Sequence, residues 1–139
     1  MFSKIMVPVD LGHIDKLGKA LGIASQMARN SGAEVVYVGV TGTAPSPVAH
    51  TPEEYAAKLE QFAAEQAETA GHAASGHAVA TRDPAADLDA SLTKAAEETG
   101  ADLVVMATHV PGALDAFGPN HGGAFARHSK ISVFLVRGA

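Results

Sequence analysis

Short apolar runs alternate with longer helical patterns along the whole chain, and this alternation most restricts the fold. Each apolar run ends at a polar residue or a glycine after only a few residues. Such runs are typical of strands buried on both faces of a sheet. The predicted strands are residues 4–9, 34–40, 77–81, 103–106 and 133–136.

Helix signals fill the gaps between these strands. Thr51 is a capping residue followed by proline at the first helical position, and Asp83 begins a second segment in the same way. Glycines follow the apolar helical stripes and provide left-handed helix ends. Strands that alternate with helices predict a doubly wound parallel sheet with right-handed crossovers and helices on both faces. The predicted helices are residues 13–30, 51–70, 83–99 and about 120–128.

Length and charge narrow the class of protein. A chain of 139 residues suits one domain, spanning 1–139. The net charge of −5, without a basic block, argues against nucleic acid or an anionic membrane surface as a partner. The chain has no cysteine, no leader-like start and no apolar run near the ~20 residues that span a bilayer. We therefore expect a cytoplasmic protein without disulfides.

Polar residues follow the first and fourth predicted strands. If these strands are neighbours at the switch in strand order, Asp10 shares a rim with Thr108 and His109, where ligands bind in such sheets. Asp10 could accept hydrogen bonds from ribose or adenine, hold a metal through water, or cap the following helix. His109 could donate to a phosphate or ribose oxygen, or fix its own turn through a loop carbonyl.

The predicted helix start near Asn120 is a second candidate ligand site. Its unpaired N–H groups would favour an anion, and Gly122 and Gly123 would permit close backbone approach. The same glycines could instead serve tight packing of the helix on the sheet. Phosphate-loop, dinucleotide and nucleophile-elbow motifs do not occur, and the seven histidines lack metal-ligand spacing. We predict no catalytic residue and no metal site.

Five segments in order carry a family resemblance. They are Ile5-Met-Val-Pro-Val-Asp10, Arg82-Asp-Pro84, Gly100-Ala-Asp-Leu-Val-Val-Met106, Arg127-His128 and Ser132-Val-Phe-Leu-Val-Arg137. With them the chain resembles the universal stress protein family over essentially its whole length. The resemblance implies a five-stranded parallel sheet in the order 3-2-1-4-5, adenine-nucleotide α-hydrolase-like. It also implies a homodimer through the last strand, from Val133 to Val136.

The glycine motif of the nucleotide-binding members is altered here. Those members carry G-x2-G-x9-G-[ST], whereas this chain has Ala107 and Val110 at the first two glycines and Pro119-Asn120 near the last pair. The run Ala107-Thr-His-Val-Pro111 resembles a branch with Ala-[Ser/Thr]-His-x-Pro. By resemblance, adenine and ribose would lie against Pro8, Val9, Asp10 and Val40, and phosphate against Thr108, His109, Asn120, His121 and Gly122.

Two functions follow from this resemblance. One is a stress-response regulatory module that binds ATP or another adenine nucleotide, with Mg²⁺, at the carboxyl ends of strands 1 and 4. The other is a dimeric interaction module of the same family that binds no nucleotide. A hydrolase is disfavoured because no convincing base, nucleophile or lysine is present. We therefore expect no enzyme, and the protein partner is not indicated by the sequence.

Overall fold

A computed structural model describes residues 1–108 and 121–137 of the chain. The strands are β1 (Lys4–Pro8), β2 (Glu34–Gly42), β3 (Ala74–Thr81), β4 (Leu103–Thr108) and β5 (Ser132–Arg137). The helices are α1 (Gly18–Ser31), α2 (Pro52–Ala70), α3 (Leu88–Thr99) and α4 (His121–His128). A short 3-10 helix, Leu11–Lys16, precedes α1.

The five strands form one parallel sheet in the order β3-β2-β1-β4-β5. This confirms the predicted strand order. The central strand β1 pairs with β2 on one side and with β4 on the other, so the strand order reverses at β1. The carboxyl ends of β1 and β4 are therefore neighbours, as the prediction for a ligand rim requires.

The core lies on both faces of the sheet, which confirms the doubly wound arrangement. Alternate side chains of β1 point to opposite faces, as the strand period of two requires. Val7 and Val9 belong to a buried cluster with α1 and α2, which we call the α1/α2 face. Met6 belongs to a second buried cluster with α3 and with Phe125 of α4, which we call the α3/α4 face.

The first helix differs from its prediction over residues 13–30. The chain forms the 3-10 helix and then begins α1 at Gly18. Asp10 is the reason, because its carboxylate accepts hydrogen bonds from the Gly12 N–H and the His13 ring. Bonds from a side chain to nearby groups compete with a regular helix, and His13 has non-helical angles of φ −140° and ψ 39°.

The third helix begins at Leu88 rather than at Asp83. Asp83 does accept a hydrogen bond from the Ala86 N–H, at 3.1 Å, and its carbonyl accepts one from the Asp87 N–H, at 2.9 Å. These bonds close a turn, so the cap-and-proline signal marks a chain reversal before the helix. By contrast, Thr51 caps α2 as predicted, through the Glu54 N–H at 3.1 Å.

The third strand is longer than its prediction, residues 77–81. Residues 74–76, which precede the predicted strand, also pair with β2. Gly76 lies against Leu59, and its N–H donates to the Glu60 carboxylate at 3.0 Å. That side chain of α2 therefore satisfies an edge-strand donor and holds the beginning of β3 in place.

Asp102 joins the amino ends of β1 and β4. Its carboxylate accepts hydrogen bonds from the N–H groups of Ser3, at 2.9 Å, and Lys4, at 3.1 Å. Its own N–H donates to the Lys4 carbonyl at 3.0 Å. Desolvation raises the pKa of Asp102, but the bonds to the carboxylate outweigh it and the pKa is lowered. These contacts help set the register of β1 against β4, which decides what meets at the other end.

Candidate functional site

Three of the predicted site residues form a row across three adjacent strands. Lys4 pairs with Glu34 and Ile5 with Leu103, and the Val9 N–H continues the ladder to the Val38 carbonyl at 2.8 Å. The same offsets carried to the carboxyl ends place Val40, Asp10 and Thr108 level with one another. We call this set the carboxyl row.

One face of the sheet carries Pro8, Val40 and Thr108 of the predicted site. Val40 packs against the α3/α4 face, which also holds Met6 and Met106. Pro8 and Thr108 each follow one of these methionines by two residues, so alternation places them on the same face. Pro8 is buried, whereas Val40 and Thr108 are half-buried.

Val9 lies differently from these residues. Its side chain is buried within the α1/α2 face, on the side of the sheet opposite Val40. A ligand above the α3/α4 face could therefore meet the backbone of Val9 but not its side chain.

Asp10 follows β1 with an extended backbone and caps the 3-10 helix. The Gly12 N–H donates to Oδ1 at 3.0 Å, and the His13 ring Nδ1 lies 2.9 Å from Oδ2. The capping interpretation is therefore confirmed among the three alternatives for this residue. The carboxylate is still 32% exposed, so capping leaves part of its surface available to a ligand.

Tyr55 of α2 lies next to this turn. Its side chain is buried, and its hydroxyl lies near the backbone of Leu11. The ring lies against Gly39 of β2, where a methyl group would be 2.3 Å from the Tyr55 hydroxyl oxygen. Burial raises the pKa of Tyr55, and the nearby negative charge of Asp10 raises it further.

The predicted phosphate-side residues are only partly described. His109 and Asn120 lie outside the described residues. His121 and Gly122 form the start of α4, which packs against α3, β4 and β5. The fold thus brings Pro8, Asp10, Val40 and Thr108 together at the carboxyl ends of the strands.

Sequence reasoning missed His13 and the supporting role of Tyr55. His13 is one of the seven histidines without metal-ligand spacing, although the Asp-x-x-His spacing after the first strand could have indicated its bond to Asp10. Tyr55 falls in the predicted helix 51–70, whose pattern gives it no role beyond packing. Its contact with Gly39 depends on how α2 crosses β2, which periodicity does not indicate.

Within residues 1–108 and 121–137, no group of three His, Cys, Asp or Glu residues could hold a metal ion. In the same part of the chain, no helix is long and apolar enough to cross a membrane.

Comparison with known families assigns the chain. The model of the universal stress protein family matches residues 1–137. The chain belongs to this family. A comparison of this universal stress protein with curated protein sequences finds no significant match.

Solved structures of other universal stress proteins share its fold. A universal stress protein in complex with cAMP has a TM-score of 0.72 and 22% identity, covering 99% of both chains. A family member from Burkholderia pseudomallei has a TM-score of 0.67 and 23% identity, covering 96% of this chain and 95% of its own. The Archaeoglobus fulgidus protein in complex with dAMP has a TM-score of 0.63 and 20% identity, covering 97% and 98%.

Proposed function

We propose that this universal stress protein binds an adenine nucleotide at the carboxyl ends of β1 and β4 and acts as a stress-response regulatory module. The carboxyl row of Val40, Asp10 and Thr108 is the observation that carries this proposal, because it places a carboxylate between an apolar side chain and a hydroxyl. Two similar structures, described as complexes with cAMP and dAMP, support the choice of ligand class.

The described residues divide the work of recognition by their chemistry. Half-buried Val40 offers an apolar side chain to a flat base, on the same face of the sheet as buried Pro8. The exposed part of Asp10 can accept a hydrogen bond from an adenine amino group or a ribose hydroxyl. Thr108 has a hydroxyl that can donate to a ribose or phosphate oxygen. In this arrangement Asp10 is the polar group that orients the nucleoside.

The phosphate side follows the family resemblance. His109, Asn120, His121 and Gly122 would face the phosphates, at the amino end of α4, where helix N–H groups favour an anion. A Mg²⁺ ion would accompany ATP through the phosphate oxygens and water, as is usual for this ion. We assign no residue a catalytic role.

Direct titration tests nucleotide binding. We expect ATP, AMP or cAMP to release or absorb heat in calorimetry and to raise the melting temperature in a concentration-dependent way. Binding at a hundredfold excess over Kd stabilises a protein by about 2.7 kcal/mol, which is easily measured. GTP is the control, because guanine has an oxygen at C6, where adenine has the amino group that would donate a hydrogen bond to Asp10. No heat and no shift at millimolar concentrations of all three would refute the proposal and favour the interaction module.

We further propose a homodimer through β5, between Val133 and Val136. This strand is at the edge of the sheet, and Phe134 and Leu135 are 42% and 37% exposed. An exposed apolar edge strand is a template for pairing with another chain, and we propose that β5 of a second copy pairs with it. The cytoplasmic location stays a prediction from the sequence, and the protein partner stays unidentified.

Substitution of Leu135 by lysine is expected to convert the dimer to a monomer, because it would bury an unpaired charge where the two strands meet. Sedimentation equilibrium measures the change against the chain mass of 14.1 kDa. The matched control is Ser75→Lys, at an exposed position on β3, the opposite edge strand. A wild-type protein that sediments as a monomer at high micromolar concentration would contradict the dimer.

A further inference from the structure

We propose that His13 is a positioning residue that holds the Asp10 carboxylate in the orientation used to accept a hydrogen bond from the nucleotide. This inference rests on the proposed function. It concerns a residue outside the predicted binding set, at the turn that immediately follows β1. The ligand class is the same adenine nucleotide, and His13 acts on it through Asp10.

Two separate bonds tie His13 to Asp10. The His13 N–H donates to the Asp10 carbonyl at 2.9 Å, and the ring Nδ1 meets Asp10 Oδ2 at 2.9 Å. Since a carboxylate only accepts, the ring nitrogen must be the donor in the second bond. The backbone of His13 has non-helical angles at this point, where its ring is bonded to Asp10.

The second bond goes beyond what a helix cap requires. A cap needs one side-chain oxygen on one N–H, and the bond from Gly12 to Oδ1 already supplies it. The bond from His13 holds the other oxygen, so the carboxylate plane is fixed from two directions. A binding group held in place before the ligand arrives loses less conformational entropy on binding.

The pair of His13 and Asp10 is expected to contribute little to the stability of the fold. The side chains of His13 and Asp10 are 53% and 32% exposed, and exposed ion pairs contribute little to folding. In the described part of the chain, His13 is the side chain hydrogen-bonded to the Asp10 carboxylate. Lys58, on neighbouring α2, is instead bonded to the Val48 carbonyl and paired with Glu54. The effect of His13 is therefore expected in ligand affinity more than in folding.

The test compares nucleotide affinity by calorimetry in the full-length protein, with ATP as the probe. His13→Ala is expected to weaken binding by about threefold to tenfold, the range of one lost hydrogen bond. His13→Asn, whose amide nitrogen can replace Nδ1 as the donor, is expected to bind within about twofold of wild type. His77→Ala is the matched control, since His77 lies on β3 and pairs with Glu98 at 3.7 Å.

A double-mutant cycle distinguishes positioning from direct contact with the ligand. If His13 acts through Asp10, the double variant Asp10→Ala/His13→Ala should bind no more weakly than Asp10→Ala alone. Additive losses, or His13→Asn as weak as His13→Ala, would overturn the inference, as would unchanged affinity in His13→Ala. In each of these cases wild-type binding preserves the proposed function. Absence of ATP binding by the wild type would overturn both.

Discussion

Substitution of Gly39 by alanine is expected to destabilise the fold by about 2–3 kcal/mol, the upper part of the range for overpacking a buried site. The added methyl group would lie 2.3 Å from the Tyr55 hydroxyl oxygen, 2.8 Å from Cε1 and 2.9 Å from Cζ. Tyr55 is only 5% exposed, so its ring has little room to move away. Chemical denaturation at equilibrium measures the loss as a lower midpoint.

Gly22→Ala is the matched control for this substitution. Gly22 lies inside α1, and a methyl group there meets nothing within 4 Å. Alanine is the better helix former, so this variant should be neutral or more stable, by up to about 1 kcal/mol. The steric origin has its own test, because in a Tyr55→Leu background Gly39→Ala should cost much less. Equal stability of the Gly39→Ala and Gly22→Ala variants would show that the contact is not tight.

Substitution of Asp10 by alanine is expected to weaken adenine-nucleotide binding by at least about tenfold. Hydrogen bonds to a charged group contribute about 1.5–3 kcal/mol, and the variant has no acceptor at the centre of the carboxyl row. The fold should also lose about 1 kcal/mol, because the cap on the Gly12 N–H is removed. Calorimetric titration well below the melting temperature separates the affinity loss from the stability loss.

Two further variants isolate the role of the Asp10 charge. Asp15→Ala removes an equal charge from an exposed position in the same 3-10 helix, and its affinity should match the wild type. Asp10→Asn retains a good capping side chain, so its stability should stay near the wild type while nucleotide binding is still weakened. An Asp10→Ala protein that binds ATP as tightly as the wild type would remove Asp10 from the site.

The sheet and the residues at the carboxyl ends of its strands were predictable because they follow from local patterns. Uniformly apolar runs separated by helical stripes predict parallel strands covered on both faces, and the structure confirms this. The strand order came from the family resemblance. Neighbouring β1 and β4 then bring Asp10 and Thr108 to one rim, as parallel topology requires.

The beginnings of the helices were less predictable. Thr51-Pro52 and Asp83-Pro84 carry the same local signal, but only the first pair begins a helix at that point. Asp83 closes a turn, and its helix starts at Leu88, where the side chain becomes buried on the α3/α4 face. A capping signal indicates where the chain can turn, whereas packing on the sheet decides where a helix begins.

The sequence by itself determined the doubly wound parallel sheet and the polar residues that end its strands, because hydrophobic periodicity is a local property of the chain. Only the tertiary structure decided which of those residues stand level with one another. The contacts of Asp102 with β1, the fit of Tyr55 onto Gly39 and the bond from His13 to Asp10 depend on how separate segments meet in three dimensions. Strand register and close packing depend on contacts between segments that are distant in the sequence, so residue spacing along the chain does not predict them.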